Sequence, residues 1–176
     1  LKELVLSLRF EFFYSPLFLL MISVNLNPSE WVIIRRYLHR REIFVYEVCL
    51  IVLYAFFFTL VVMVSGTVVT FWLHQVAIQL SQMIVFALLF YLIIVTVGLL
   101  FTAVSAWSNK VFAWIFVTGV VILDRYTLVI LPAIFHGGAS QQLSVLRVLV
   151  PAIVLLLLII ARQVNNIDYY SQDEHH

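Results

Sequence analysis

Residues 83–106 hold no Lys, Arg, Asp or Glu. A bilayer core of about 30 Å takes around 20 apolar residues of helix, so this run alone is enough to cross one. The rest of the chain agrees: only 11% of its residues are charged and 64% are hydrophobic, against roughly 25% charged in a soluble domain. A soluble globular fold is therefore excluded. The expectation is an all-α integral membrane protein, a polytopic helical bundle forming a single transmembrane domain over residues 1–176. Three further runs read as membrane helices: 43–71, 111–131 and 145–161. The first is longer than one crossing needs and contains Gly66, a candidate bend. The second carries Asp124 and Arg125 within it. The last is short at its apolar core, with Arg147 and Arg162 placed to snorkel to the two interfaces. Residues 12–26 are a fifth segment, too short to cross comfortably and interrupted by Pro16. Ahead of it, residues 1–10 place Leu1, Leu4, Val5 and Leu8 at helical spacing among polar residues, as in an interfacial helix.

Orientation follows from the basic residues of the connecting segments. Residues 27–42 carry Arg35, Arg36, Arg40 and Arg41, four of the chain's ten Lys+Arg, and belong in the cytosol. Residues 72–82 and 132–144 carry none and fall outside, while the turn ending at Lys110 returns inside. The tail 162–176 is then cytosolic. Trp31, Trp72, Trp107 and Trp114 lie near the span boundaries, as an interfacial belt would. Segment 12–26 would enter from outside, implying a further helix before it. About five spans are visible of six, with both ends inside.

The segment 27–47 is the most informative stretch. Asn27-Pro28-Ser29-Glu30 reads as a helix cap with Pro in the first turn, opening a cytosolic amphipathic helix. One reading is topological: the arginines hold the loop at the cytosolic face and touch anionic headgroups. The other is a docking helix, with Trp31, Ile34 and Leu38 beside Arg35 and Arg41 filling a groove on a cytosolic partner.

The run Arg35-Arg36-Tyr37-Leu38-His39-Arg40-Arg41-Glu42-Ile43-Phe44, followed at once by a long Leu/Ile/Phe/Tyr helix, resembles the membrane subunits of small bacterial type-2 ABC exporters. The ending Ile159-Ile160-Ala161-Arg162 to Asp168 is similar to that family's C-terminal pattern. The resemblance implies a permease subunit in the cytoplasmic membrane, moving an amphipathic or hydrophobic substrate such as a peptide, a lipid or a drug-like molecule. It implies that 27–42 is the coupling segment, with Trp31, Arg35, Arg36, Leu38, Arg40, Arg41 and Glu42 facing a separate ATPase subunit that carries ATP and Mg. A second permease subunit, as homo- or heterodimer, and membrane lipids are the other implied partners. Where the family often has a Lys a few residues into the next helix, this chain has Glu47.

Enzymatic alternatives find little to stand on. No phosphate-binding loop is present, and the only adjacent glycines, Gly137-Gly138, read as a turn. The five histidines show no helical ligand spacing, so no metal site, no cofactor and no catalytic residue is assigned to this chain. With a net charge of only +1, the total gives no nucleic-acid footprint, and no nucleic-acid partner is expected. Besides Arg147, placed to snorkel, three charges fall within predicted membrane helices. Glu47 is one turn inside, placed to pair with an arginine of the preceding loop. Asp124 and Arg125, adjacent and so about 100° apart on a helix, need different partners; they either fix helix packing or line a substrate path. The lone Cys49 reads as a small buried hydrophobe. The aromatics Phe56, Phe57 and Phe58, with Phe10, Phe12 and Phe13, read as lipid-facing and core packing. The competing functional reading is a non-transporting accessory or sensor membrane protein, in which the basic segment anchors topology or binds a regulator.

Overall fold

A computed structural model describes residues 10–25, 40–74, 80–124, 130 and 139–166. The described chain is helical throughout its elements and holds no strand. A π-helical turn, Phe10–Tyr14, leads into α1 (Ser15–Asn25); then come α2 (Arg40–His74), α3 (Leu80–Ser105), α4 (Lys110–Asp124) and α5 (Ala139–Asn166). Three helices are long and apolar enough to cross a membrane, over Phe44–Val68, Met83–Ser105 and Gln141–Val164, while Phe12–Val24 is a shorter apolar helix. Among the described residues, three of the five visible spans expected from the sequence are thus of full length, and α1 and α4 are described over about 22 Å or less each at 1.5 Å per residue.

The middle helix is α3, which packs against each of the other four. Half of its span is buried, against 22% for the spans of α2 and α5. This is what uniform hydrophobicity allows: a helix that is apolar on every side can be surrounded, whereas its neighbours bury one face and turn the other to lipid. The inward faces follow the helical repeat: Phe18, Leu19 and Ile22 on α1; Ile51, Ala55 and Phe58 on α2; Ala113, Val117 and Val121 on α4; Val145, Leu149, Leu156, Ile160 and Val164 on α5. On α2 the alternate face exposes Leu53, Phe56, Phe57, Leu60, Val61 and Val64, so the triple Phe divides, with only Phe58 turned inward. The lone Cys49, expected to be buried, is exposed; it stands two residues, about 200° around the helix, from the inward Glu47.

Prolines explain two departures from plain α-helix. Pro16 cannot donate a backbone hydrogen bond and its ring crowds the carbonyl four residues back. The π turn immediately before it is the local adjustment that keeps the rod helical, and Pro16 falls at the second residue of α1 rather than breaking a span. Pro151 lies inside α5, and the helix continues on both sides of it. That helix runs 28 residues and extends beyond both ends of the expected span 145–161. Similarly α2 absorbs both Arg40 at its start and Trp72 near its end, residues read from the sequence as loop. It passes through Gly66 without leaving helical structure.

Register ties the ends together. A Cβ built on Gly98 of α3 would lie 2.7 Å from Ile51, 3.2 Å from Ile22 and 3.3 Å from Phe18, so α1, α2 and α3 converge there at backbone distance. Toward the other end, Phe10 meets Phe90 edge-on at 5.4 Å, Tyr14 meets Phe58 at 6.4 Å and Phe90 at 6.1 Å, and Phe18 meets Phe58 at 5.3 Å. Hence α1 runs parallel to α3 and α2 runs antiparallel to both. The tight turn after α3 returns α4 antiparallel, capped by Asn109, whose Oδ1 accepts the Phe112 amide at 2.7 Å. One end of the bundle therefore gathers the C-termini of α1, α3 and α5 with the N-termini of α2 and α4.

Candidate functional site: polar groups inside the helix bundle

Of the residues expected to dock a cytosolic partner, Trp31, Arg35, Arg36 and Leu38 lie outside the described residues. Arg40 and Arg41 open α2 directly, so the expected coupling segment 27–42 ends inside a helix instead of preceding it. Glu42 stands in the first turn of α2 and is exposed. An acidic residue in a first turn is favoured by the helix dipole.

At the same end, polar side chains cross between helices onto backbone carbonyls near helix C-termini. The Lys110 ammonium donates to the Ser23 carbonyl, near the C-terminus of α1, at 3.1 Å. This places a cation where the helix dipole is negative, and partial burial lowers the Lys110 pKa below its ordinary 10.5. The Gln163 amide of α5 donates to the Ala103 carbonyl of α3 at 2.9 Å. Two such bonds from two helices onto a third and fourth lock this end of the bundle. Trp107, in the turn between them, is 81% exposed, as suits a membrane-interface residue.

Glu47 is buried and lies on the inward face of α2 with Ile51, Ala55 and Phe58. Four residues separate it from Ile51, so the antiparallel register sets it level with Thr102, itself buried. The sequence placed Glu47 one turn inside the membrane; the structure turns it into the bundle.

Asp124 is buried and shares the inward face of α4 with Ala113, Val117 and Val121. Fourteen residues of helix lie between it and Lys110, about 21 Å, which sets it near the middle of α3. It is the last residue of α4, and its Oδ1 accepts the Ile130 amide at 3.4 Å. Of the expected span 111–131, residues 125–129 and 131 lie outside the described residues; Asp124 is buried on the inward face of the part that is described. Arg125 lies outside the described residues. Among the described residues no group of three His, Cys, Asp or Glu is placed to hold a metal ion.

Hydroxyls divide into two classes. Ser23, Ser65, Thr67, Thr96, Thr102, Ser105 and Ser108 each donate to a carbonyl three or four residues back in their own helix, the ordinary solution in an apolar surrounding. The hydroxyls of Ser15, Thr59 and Thr118 are buried and have no hydrogen-bond partner among the described residues. Leaving such a group unsatisfied costs about 1–3 kcal/mol. Sequence reasoning passed over these three and over Gly98, because a Ser or Thr in an apolar run looks the same whether or not it bonds its own helix. The signal that could have found Ser15 and Thr59 was helical spacing from Phe18 and Ala55, which puts both on inward faces.

The chain matches no known family model, no curated protein and no solved structure.

Proposed function

We propose that this chain is the permease subunit of an ATP-driven ABC exporter. It would move an amphipathic or hydrophobic substrate across the cytoplasmic membrane with work supplied by a separate ATPase subunit. The observation that carries the reading is α2: one 35-residue helix runs from Arg40 to His74, while its apolar span begins only at Phe44. Arg40 and Arg41, the last arginines of the basic segment, thus stand on the same helix as the membrane crossing, and a push on that end would be transmitted along α2 to Gly98 and the α1–α3 contacts. Charge supports the orientation. The end that gathers the N-terminus of α2 carries Arg40, Arg41, Lys110 and Arg162, whereas Arg147 is the basic residue of the described helices toward the other end. The positive-inside rule sets the first of these in the cytosol, and with it the C-terminus of α5. In the transport cycle, closure of the ATPases would press on residues 27–42 and tilt α2, opening a path at the interface with a second permease subunit. A chain so apolar on its outer faces gives such a substrate lateral access from the bilayer.

Replacing Arg35, Arg36, Arg40 and Arg41 together by Gln tests this. The expected outcome is normal membrane insertion with loss of substrate-stimulated ATP hydrolysis and of transport. Full coupling in the correctly inserted variant would overturn the docking role. It would shift weight to an accessory or sensor protein whose arginines serve only as a topology signal.

A further inference from the structure

We propose that α2 carries a hinge at Ser65-Gly66-Thr67, about which its outer arm, residues 68–74, swings while residues 40–63 stay packed in the bundle. The helix is continuous through this point, so the three residues lower its stiffness without breaking it. The proposal rests on α2 alone and does not need the permease reading.

Packing stops where the hinge begins. Ile51, Ala55 and Phe58 are buried, and Val62 and Met63 are the last residues of α2 that pack against the core among the described residues. Beyond them Val64, Ser65, Gly66 and Val68 are exposed and Thr67 is half-buried. Length points the same way: α2 runs 35 residues, about 52 Å of helix against a bilayer core of about 30 Å.

Gly66 does not serve a close approach between helices. At Gly98 an added Cβ would lie 2.7 Å from Ile51, whereas at Gly66 it would meet nothing within 4 Å. What Gly66 contributes is backbone freedom. A glycine inside a helix has more conformations to lose than any other residue and weakens the helix locally, and sharp bends gather where Gly and Ser stand together.

The flanking hydroxyls prepare the bend. Ser65 Oγ donates to the Val62 carbonyl at 3.0 Å, and Thr67 Oγ1 reaches the Met63 carbonyl and, at 3.1 Å, the Val64 carbonyl. In an α-helix these three carbonyls accept from the amides of residues 66, 67 and 68, the bonds that straddle Gly66. Bending at the glycine stretches those bonds, and hydroxyls already seated on the same carbonyls keep them satisfied in an apolar surrounding. Ser and Thr bonded back onto their own helix also favour bending by themselves. Gly98 and Gly119 have no such pair of flanking hydroxyls.

Electron-spin distance measurement on the full chain in lipid nanodiscs tests the hinge. Cys49, the chain's one cysteine, is exposed on α2 and takes the first nitroxide. The second goes on Val64→Cys or Val68→Cys, both exposed and one turn apart. The first pair lies short of the hinge, about 22 Å apart along the helix, and the second spans it at about 28 Å. The expected result is a 49–68 distance distribution about twofold broader than the 49–64 distribution. Gly66→Ala, and separately Ser65→Ala/Thr67→Val, narrow it to the 49–64 width. Because a Cβ at position 66 meets nothing within 4 Å, the Gly66→Ala chain keeps the fold. Equal widths with the hinge residues intact, or a 49–68 width that either variant leaves unchanged, would overturn the proposal and make α2 one stiff rod to its end.

Discussion

Around Gly98 the helices α1, α2 and α3 approach so closely that an added methyl would sit 2.7 Å from Ile51. Two helical turns away, at Ser15 and Thr59, buried hydroxyls on α1 and α2 are left without protein partners. The first level is ordinary close packing, in which glycine removes the side chain that would hold the helices apart, and the second carries a polar requirement into the apolar middle. Little hydrophobic force acts between helices in lipid, so tight contact and satisfied polar groups decide which surfaces meet. The Gly98 level fixes how α1 and α2 sit on α3. The Ser15–Thr59 level adds hydroxyls that this frame buries without a protein partner among the described residues.

Phe18 belongs to both levels, touching Gly98's position and the Phe58 ring. Phe18→Ala carries the largest expected effect, a loss of about 3–5 kcal/mol, read as a drop in unfolding midpoint in detergent; a loss below about 1 kcal/mol would mean α1 is not docked as described. Next come the glycines. Gly98→Ala is expected to cost about 1–3 kcal/mol through overpacking, whereas Gly66→Ala and Gly119→Ala, where a Cβ meets nothing within 4 Å, gain up to about 1 kcal/mol from helix propensity. Equal responses at the three sites would erase the distinction between a packed and an open glycine. Smaller again is Lys110→Met, which removes the donor to the Ser23 carbonyl and lowers stability by about 0.5–1 kcal/mol, measured against wild type in the same detergent.

The smallest effect is in pH. Burial lowers the Lys110 pKa in the folded chain, so below that lowered value both states hold the proton and the cost of burying the charge is present in full. As pH rises from there toward 10.5 the folded state sheds the proton first, and stability rises. A midpoint-versus-pH curve whose upward slope over that window is greater in wild type than in Lys110→Met is the expected result. Identical slopes would remove Lys110 from the account.

Much of the helical layout was legible from hydropathy, because spans such as 83–106 are long and free of charge. The shorter α1 and α4 were harder. Composition alone cannot say how much of an apolar run is needed for a crossing, as at Phe12–Val24, which is a shorter apolar helix. The inward faces were hidden for a different reason: on α3 almost every position is apolar, so no periodicity marks the side that meets α1. Charges announced themselves and hydroxyls did not. Asp124 and Glu47 stood out in the sequence and are buried in the structure. The basic segment was equally plain, but its meaning depends on a partner, which hydropathy does not encode.

The most direct test of the permease reading is mild-detergent purification of the chain from native membranes, followed by mass spectrometry of what remains bound. The account predicts stoichiometric recovery of an ATPase subunit, lost when Arg35, Arg36, Arg40 and Arg41 are replaced. Recovery of the chain with no ATPase bound, under conditions that keep it folded and inserted, would contradict it.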